Sequence, residues 1–137
     1  MTRKGATRLV QIAVLLVAAC SGGGSSLHLE EHASEVTVDF QFLGEHPGNI
    51  ERIRLTEAAT GRVTWEVVGN GEPQSGSLKL TAGENSSAVT DVRHGSYSVE
   101  TPKESPTFTI RKGVRYRVEA WGKGGQRSRR FAEFELR

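Results

Sequence analysis

The chain has one cysteine among 137 residues, so no disulfide can close within it and its core must fold without that staple. Its apolar run, Leu9 to Ala19, is 11 residues long and contains Gln11; a bilayer-spanning helix needs about 20. A surplus of positive charge is also missing. The formal charge is +2, but residues 1–19 hold Arg3, Lys4 and Arg8 and no acidic residue, and the remainder carries 15 basic against 16 acidic side chains. That balance gives no basis for nucleic-acid binding. There is no Gly-x-Ser-x-Gly elbow for a nucleophile. "GKGGQRS" (122–128) lacks the spacing of a phosphate loop and leads into a strand pattern rather than a helix. No catalytic residues, no cofactor and no resident metal are assigned.

What is there begins at the amino terminus. A positive head, a short apolar stretch and small residues follow one another in the order of a secretory signal peptide. "VAAC", Val17 to Cys20, resembles the lipobox of bacterial lipoproteins. The resemblance covers about the first 20 residues. It implies a diacylglyceryl group on the Cys20 thiol, cleavage between Ala19 and Cys20, and acylation (palmitate) of the new amino group. One acyl chain holds a protein marginally, while two or more anchor it stably. Ser21 stands where an Asp tends to retain Gram-negative lipoproteins at the inner membrane. The expected location is therefore the cell envelope, and the outer membrane if the organism is Gram-negative. "SGGGSS" (21–26) reads as a flexible tether. The expected division is a leader at 1–19, lipidated cysteine and tether at 20–33, and one domain at 34–137.

That domain reads as strands. Val36, Val38, Phe40 and Phe42 alternate with Thr37, Asp39 and Gln41. Ile53 and Leu55 alternate with Arg52, Arg54 and Thr56, and Val63, Trp65 and Val67 with Thr64 and Glu66. The style continues through Leu78 and Leu80, Tyr97 and Val99, and Phe108 and Ile110. It ends with Val114, Tyr116, Val118 and Ala120, then Ala132, Phe134 and Leu136. Sixteen glycines supply the turns between them. No window of the expected mature chain shows a helical period. Seven to nine short strands with in/out alternation predict an all-β, antiparallel β-sandwich. Ile110 lies six residues before Tyr116, and "YRVEA" is followed by a Gly-rich loop and a last strand. This resembles the tyrosine corner and final hairpin of fibronectin type III and other immunoglobulin-like domains. It implies a buried Tyr116 hydroxyl bonded to the chain upstream. "VRHGSY" (92–97) offers a competing corner.

Two clusters attract a functional reading. Trp121 and Phe131 fall on the outward phase and flank a loop bearing Lys123, Arg127, Arg129 and Arg130. Aromatics beside a basic loop suit a protein or polysaccharide partner; the plainer expectation is a sheet-edge Trp covering the end of the core. "HLEEH" (28–32) matches the H-x-x-E-H metalloprotease pattern, which needs both His on one face of a helix. Here it lies in an expected linker. His28 and His32, or an interior cavity, support the alternative of a small-ligand or metal-handling lipoprotein. Charge is also uneven. Residues 20–100 hold 5 basic and 12 acidic side chains, residues 101–137 hold 10 and 4. Either acidic early strands face basic late ones, or a basic end meets anionic lipid, cell-wall polymer or an acidic protein. The leading expectation is a non-catalytic interaction module held to the membrane through Cys20. Cys20→Ser should abolish acyl labelling and leave the protein unprocessed or free of the membrane fraction; continued labelling refutes the assignment.

Overall fold

The computed structural model describes residues 25–42, 50–71, 74–86, 88–93, 95–105, 107–122 and 129–137. Cys20 with the rest of the VAAC stretch, Gly22 to Gly24, His46, His94, Lys123 and Arg127 lie outside the described residues. Among the described residues the chain forms strands β1 (Ser25–His32), β2 (Glu35–Phe42), β3 (Ile50–Glu57), β4 (Val63–Asn70), β5 (Ser75–Thr81) and β6 (Gly83–Ser86). They are followed by β7 (Val89–Arg93), β8 (Ser96–Thr101), β9 (Thr107–Ile110), β10 (Arg115–Gly122) and β11 (Arg130–Glu135). All pairings are antiparallel. One sheet has the order β1-β2-β5-β7, the other β11-β10-β3-β4-β8, and β6 and β9 make a separate ribbon. The fold is an all-β antiparallel sandwich, as the alternation predicted.

The period of two explains the two faces. Val36, Val38, Phe40, Leu78 and Leu80 of the first sheet are buried against Ile53, Leu55, Trp65, Val67, Tyr116, Val118 and Phe134 of the second. Each such side chain contributes about 1.5–3 kcal/mol when fully buried. Trp65 stacks on Phe108 with ring centroids 5.6 Å apart, which ties the ribbon to the core. Val99 keeps the inward phase, pairing with Val67, yet is 42% exposed. It sits on β8, an edge strand with a neighbour on one side only.

Two strands were not expected. Residues 25–32, assigned to the tether, form β1 and pair along their whole length with β2. Leu29 is buried and Leu27 packs against the core; two leucines in alternation suffice once a neighbouring strand accepts the backbone. The sandwich therefore begins at Ser25 rather than residue 34. β6 (Gly-Glu-Asn-Ser) has no apolar residue to betray it. Its Asn85 is buried; its side-chain amide donates to the Thr81 and Gly83 carbonyls at 2.8 and 3.0 Å, and its Oδ1 accepts from the Thr81 N–H.

The corner is at Tyr116. Its hydroxyl accepts the Arg111 N–H at 3.0 Å, and its ring, fully buried, stacks on Phe134 at 5.7 Å. Gly113, at φ 75°, takes the turn that brings Arg111 back over the ring. The competing Tyr97 is half-buried and its hydroxyl has no hydrogen-bond partner among the described residues. Gly76, opposite Phe40 in the β2–β5 register, lies beneath that residue's ring. A Cβ there would stand 2.6 Å from Phe40 Cε2. Gly76→Ala should destabilise the fold by about 1–3 kcal/mol through overpacking, measured by urea unfolding; an unchanged midpoint would show that Phe40 is free to move aside.

Candidate interaction face

The outward residues of the second sheet form a charged lattice. In one row across it, Phe131 of β11 stands opposite Glu119 of β10, Glu119 opposite Arg54 of β3, and Arg54 opposite Glu66 of β4. In the next row Glu133 faces Arg117, which faces Thr56. Glu66, its carboxylate largely buried, receives both Arg52 and Arg54. Glu133 receives Arg117 through Nε at 3.1 Å and Nη2 at 2.9 Å. Arg115 approaches the same carboxylate at 3.5 Å. Exposed pairs contribute only about 0.2–1 kcal/mol each; here they mainly fix where each guanidinium lies.

The aromatics sit inside this lattice. The Arg54 guanidinium carbon lies 5.1 Å from the Trp121 ring centroid, and that of Arg117 lies 4.5 Å from the Phe131 centroid. Trp121 is half-buried, and Phe131 is 54% exposed. Trp121 pairs with Arg52 of β3, while the described β10–β11 register ends at Ala120 and Arg130; its ring takes the outward phase beside Arg54. Of the loop residues singled out by sequence, Arg129 donates to Glu119, and Arg130 donates through Nη1 to the Arg129 carbonyl at 2.9 Å. Arg52, Arg54 and Arg117 were missed as members of this face. Their outward phase was legible, but their adjacency to Trp121 and Phe131 depends on β3 and β11 flanking β10.

Beside the aromatics lies an open pocket of about 300 Å³, lined by Arg54, Thr56, Arg117, Glu119 and Arg129 and by the β3–β4 turn at Ala58 and Gly61. Glu57 closes one end. Its buried carboxylate accepts from Arg62, from Arg111 at 2.8 Å and from the Thr60 hydroxyl at 3.2 Å. The Arg62 bond holds its pKa below the ordinary carboxylate value; burial opposes this, and Arg111 adds to the lowering.

The metal alternative fares differently. His28 and His32 lie on one face of β1 but four residues apart on a strand, about 13 Å at 3.3 Å per residue. The helix that would bring them together is not formed. His32 Nε2 is 3.3 Å from Glu30. Among the described residues no three His, Cys, Asp or Glu cluster to hold a metal ion. Among the described residues most ion pairs stay within one half of the chain. Glu66 with Arg52 and Arg54, Glu35 with Lys79, Glu133 with Arg115 and Arg117, and Glu119 with Arg129 all pair within one half. Glu57–Arg111 and Glu100–Lys103 do cross.

Compared with family models, curated proteins and solved structures, the chain matches none. The lowered pKa of Glu57 sets a direction for stability. Its stabilisation is present above the ordinary carboxylate value of 4.5 and is lost as pH falls through the lower folded value. Glu57→Gln should therefore be less stable than the parent chain at pH 7, and the gap in urea midpoint should narrow toward pH 3. A gap that is constant with pH would show that the carboxylate's charge is not what stabilises the corner.

Proposed function

We propose that the chain is a lipid-anchored protein of the bacterial cell envelope, in the outer membrane if the organism is Gram-negative. Its β-sandwich serves as a non-catalytic interaction module for a protein or a polysaccharide. The anchor is supported by the positive head, the 11-residue apolar run and the VAAC box in their proper order. An immunoglobulin-like kinship of the body is supported by the Tyr116 corner and the β10–β11 hairpin.

The observation that carries the docking role is the outer face of the second sheet, where Arg54 and Arg117 lie on Trp121 and Phe131. Arginine and aromatic side chains concentrate binding energy at interfaces. These arginines are already held by Glu66 and Glu133, so a partner meets side chains that have little rotamer freedom left to lose. Phe131, 54% exposed, offers the apolar anchor.

In-cell cross-linking followed by identification of the captured partner tests this directly. Phe131→Ala together with Arg117→Ala should reduce capture at least tenfold while the chain stays folded and acylated. Capture at the parent level by that variant removes this face from the proposal.

A further inference from the structure

The pocket beside the β3–β4 turn is walled by more hydrogen-bond donors than the neighbouring carboxylates use. Glu57 holds Arg62 and Arg111, Glu66 holds Arg52 and Arg54, Glu133 holds Arg115 and Arg117, and Glu119 holds Arg129. Four carboxylates thus serve seven guanidiniums. Glu135, opposite Arg115 on the outward phase, adds one more acid, and Glu100 of β8 is answered by Lys103; two positive charges of this set remain in excess.

Arg54, Arg117 and Arg129 line the pocket itself. Each is anchored by part of its guanidinium and keeps the rest unspent. Among the described residues Arg54 donates through Nε alone, to Glu66, and Arg129 through Nη2 alone, to Glu119. Arg117 donates to Glu133 through Nε and Nη2, while its Nη1 lies 3.7 Å from Glu119, beyond hydrogen-bond reach. Glu119, its side chain 7% exposed, is engaged through Oε1; its Oε2 has no hydrogen bond among the described residues. The Thr56 hydroxyl donates to the Arg117 carbonyl at 3.4 Å and keeps its own lone pairs for a donor. At the rim, a Cβ on Gly61 would meet nothing within 4 Å, so the mouth is open.

Guanidiniums match the planar, two-oxygen geometry of a carboxylate. The volume of about 300 Å³ stands at the lower end of small-molecule sites, about ten times the liquid share of one water, so a carboxylate alone does not fill it. The acid side chain of a protein partner brings oxygens only, and would set its carboxylate against Glu119. A sugar acid brings a carboxylate for the arginines and hydroxyls for Glu119 and Thr56. We propose that this pocket takes one uronic acid unit of an acidic polysaccharide. The inference rests on the reading of this face as an interaction surface, and selects polysaccharide over protein as its partner.

The full chain in detergent micelles is titrated with D-glucuronate while the amide NMR signals of Ala58, Gly61 and Arg129 are followed. The signals should shift saturably, with a Kd at least tenfold below that for the methyl ester, which keeps the ring and loses the charge. Arg129→Gln should raise the Kd at least tenfold. If that variant does not fold, Ala58→Phe, at an exposed position on the rim, should do the same by filling the mouth. No saturable shift, equal affinity for the ester, or glutamate or inorganic phosphate bound as tightly as glucuronate overturns the inference. Any of these leaves the interaction face standing where capture in cells still depends on Phe131 and Arg117. Glucuronate binding by a chain whose capture ignores both residues supports the pocket and overturns the docking role alone.

Discussion

Register along β3 is the constraint on which the other features of the second sheet depend. Ile53 and Leu55 point into the core while Arg52 and Arg54 point out to Glu66. A slip of one residue would drive two guanidiniums between the sheets and strip two large aliphatic side chains of cover. The cost of burying unpaired charge far exceeds what any single surface pair contributes. The hydrophobic face therefore selects the register, and the ion pairs follow from it. Once β3 is fixed, β10 must place Arg117 and Glu119 on the same outer face, and β11 must bring Phe131 and Glu133 beside them.

The two ends of this sheet are finished differently. At one end, Glu57 gathers Arg62 and Arg111, and the backbone of Arg111 caps the Tyr116 hydroxyl. A hairpin turn and a corner loop are thereby closed around one buried carboxylate. At the other end, Trp121 lies under the Arg54 guanidinium and Arg129 is held by Glu119. Both ends thus belong to one outer face on which arginines are paired with carboxylates.

Eight of the strands were legible because each places bulky apolar residues at every second position; β7 read only as a weak strand of unsettled facing, with Val89 and Val92 three residues apart. β2, β3 and β9 are bounded as the alternation indicated. β1 was obscured by its setting, with Gly and Ser before it and charged residues within it, although Leu27 and Leu29 alternate. β6 was invisible, since backbone pairing with β9 and the bonds of Asn85 hold it without apolar side chains. Trp121 and Phe131 were correctly placed outward. Their arginine partners were not identified, because a strand sequence specifies the face of a side chain but not which strand will lie beside it.

The sequence by itself determined the two-faced alternation, the all-β class and the residues that must be buried, since the period of two acts within each strand. It also carries the VAAC stretch on which the proposed lipid anchor rests, a local pattern that needs no fold to be read. Tertiary structure alone decided that Glu66 would neutralise two arginines, that Arg54 would lie on Trp121 and Arg117 on Phe131, and that β1 would pair along its whole length with β2. These outcomes depend on strand order, set by how two sheets jointly bury their inner faces, and no single stretch of chain contains that information.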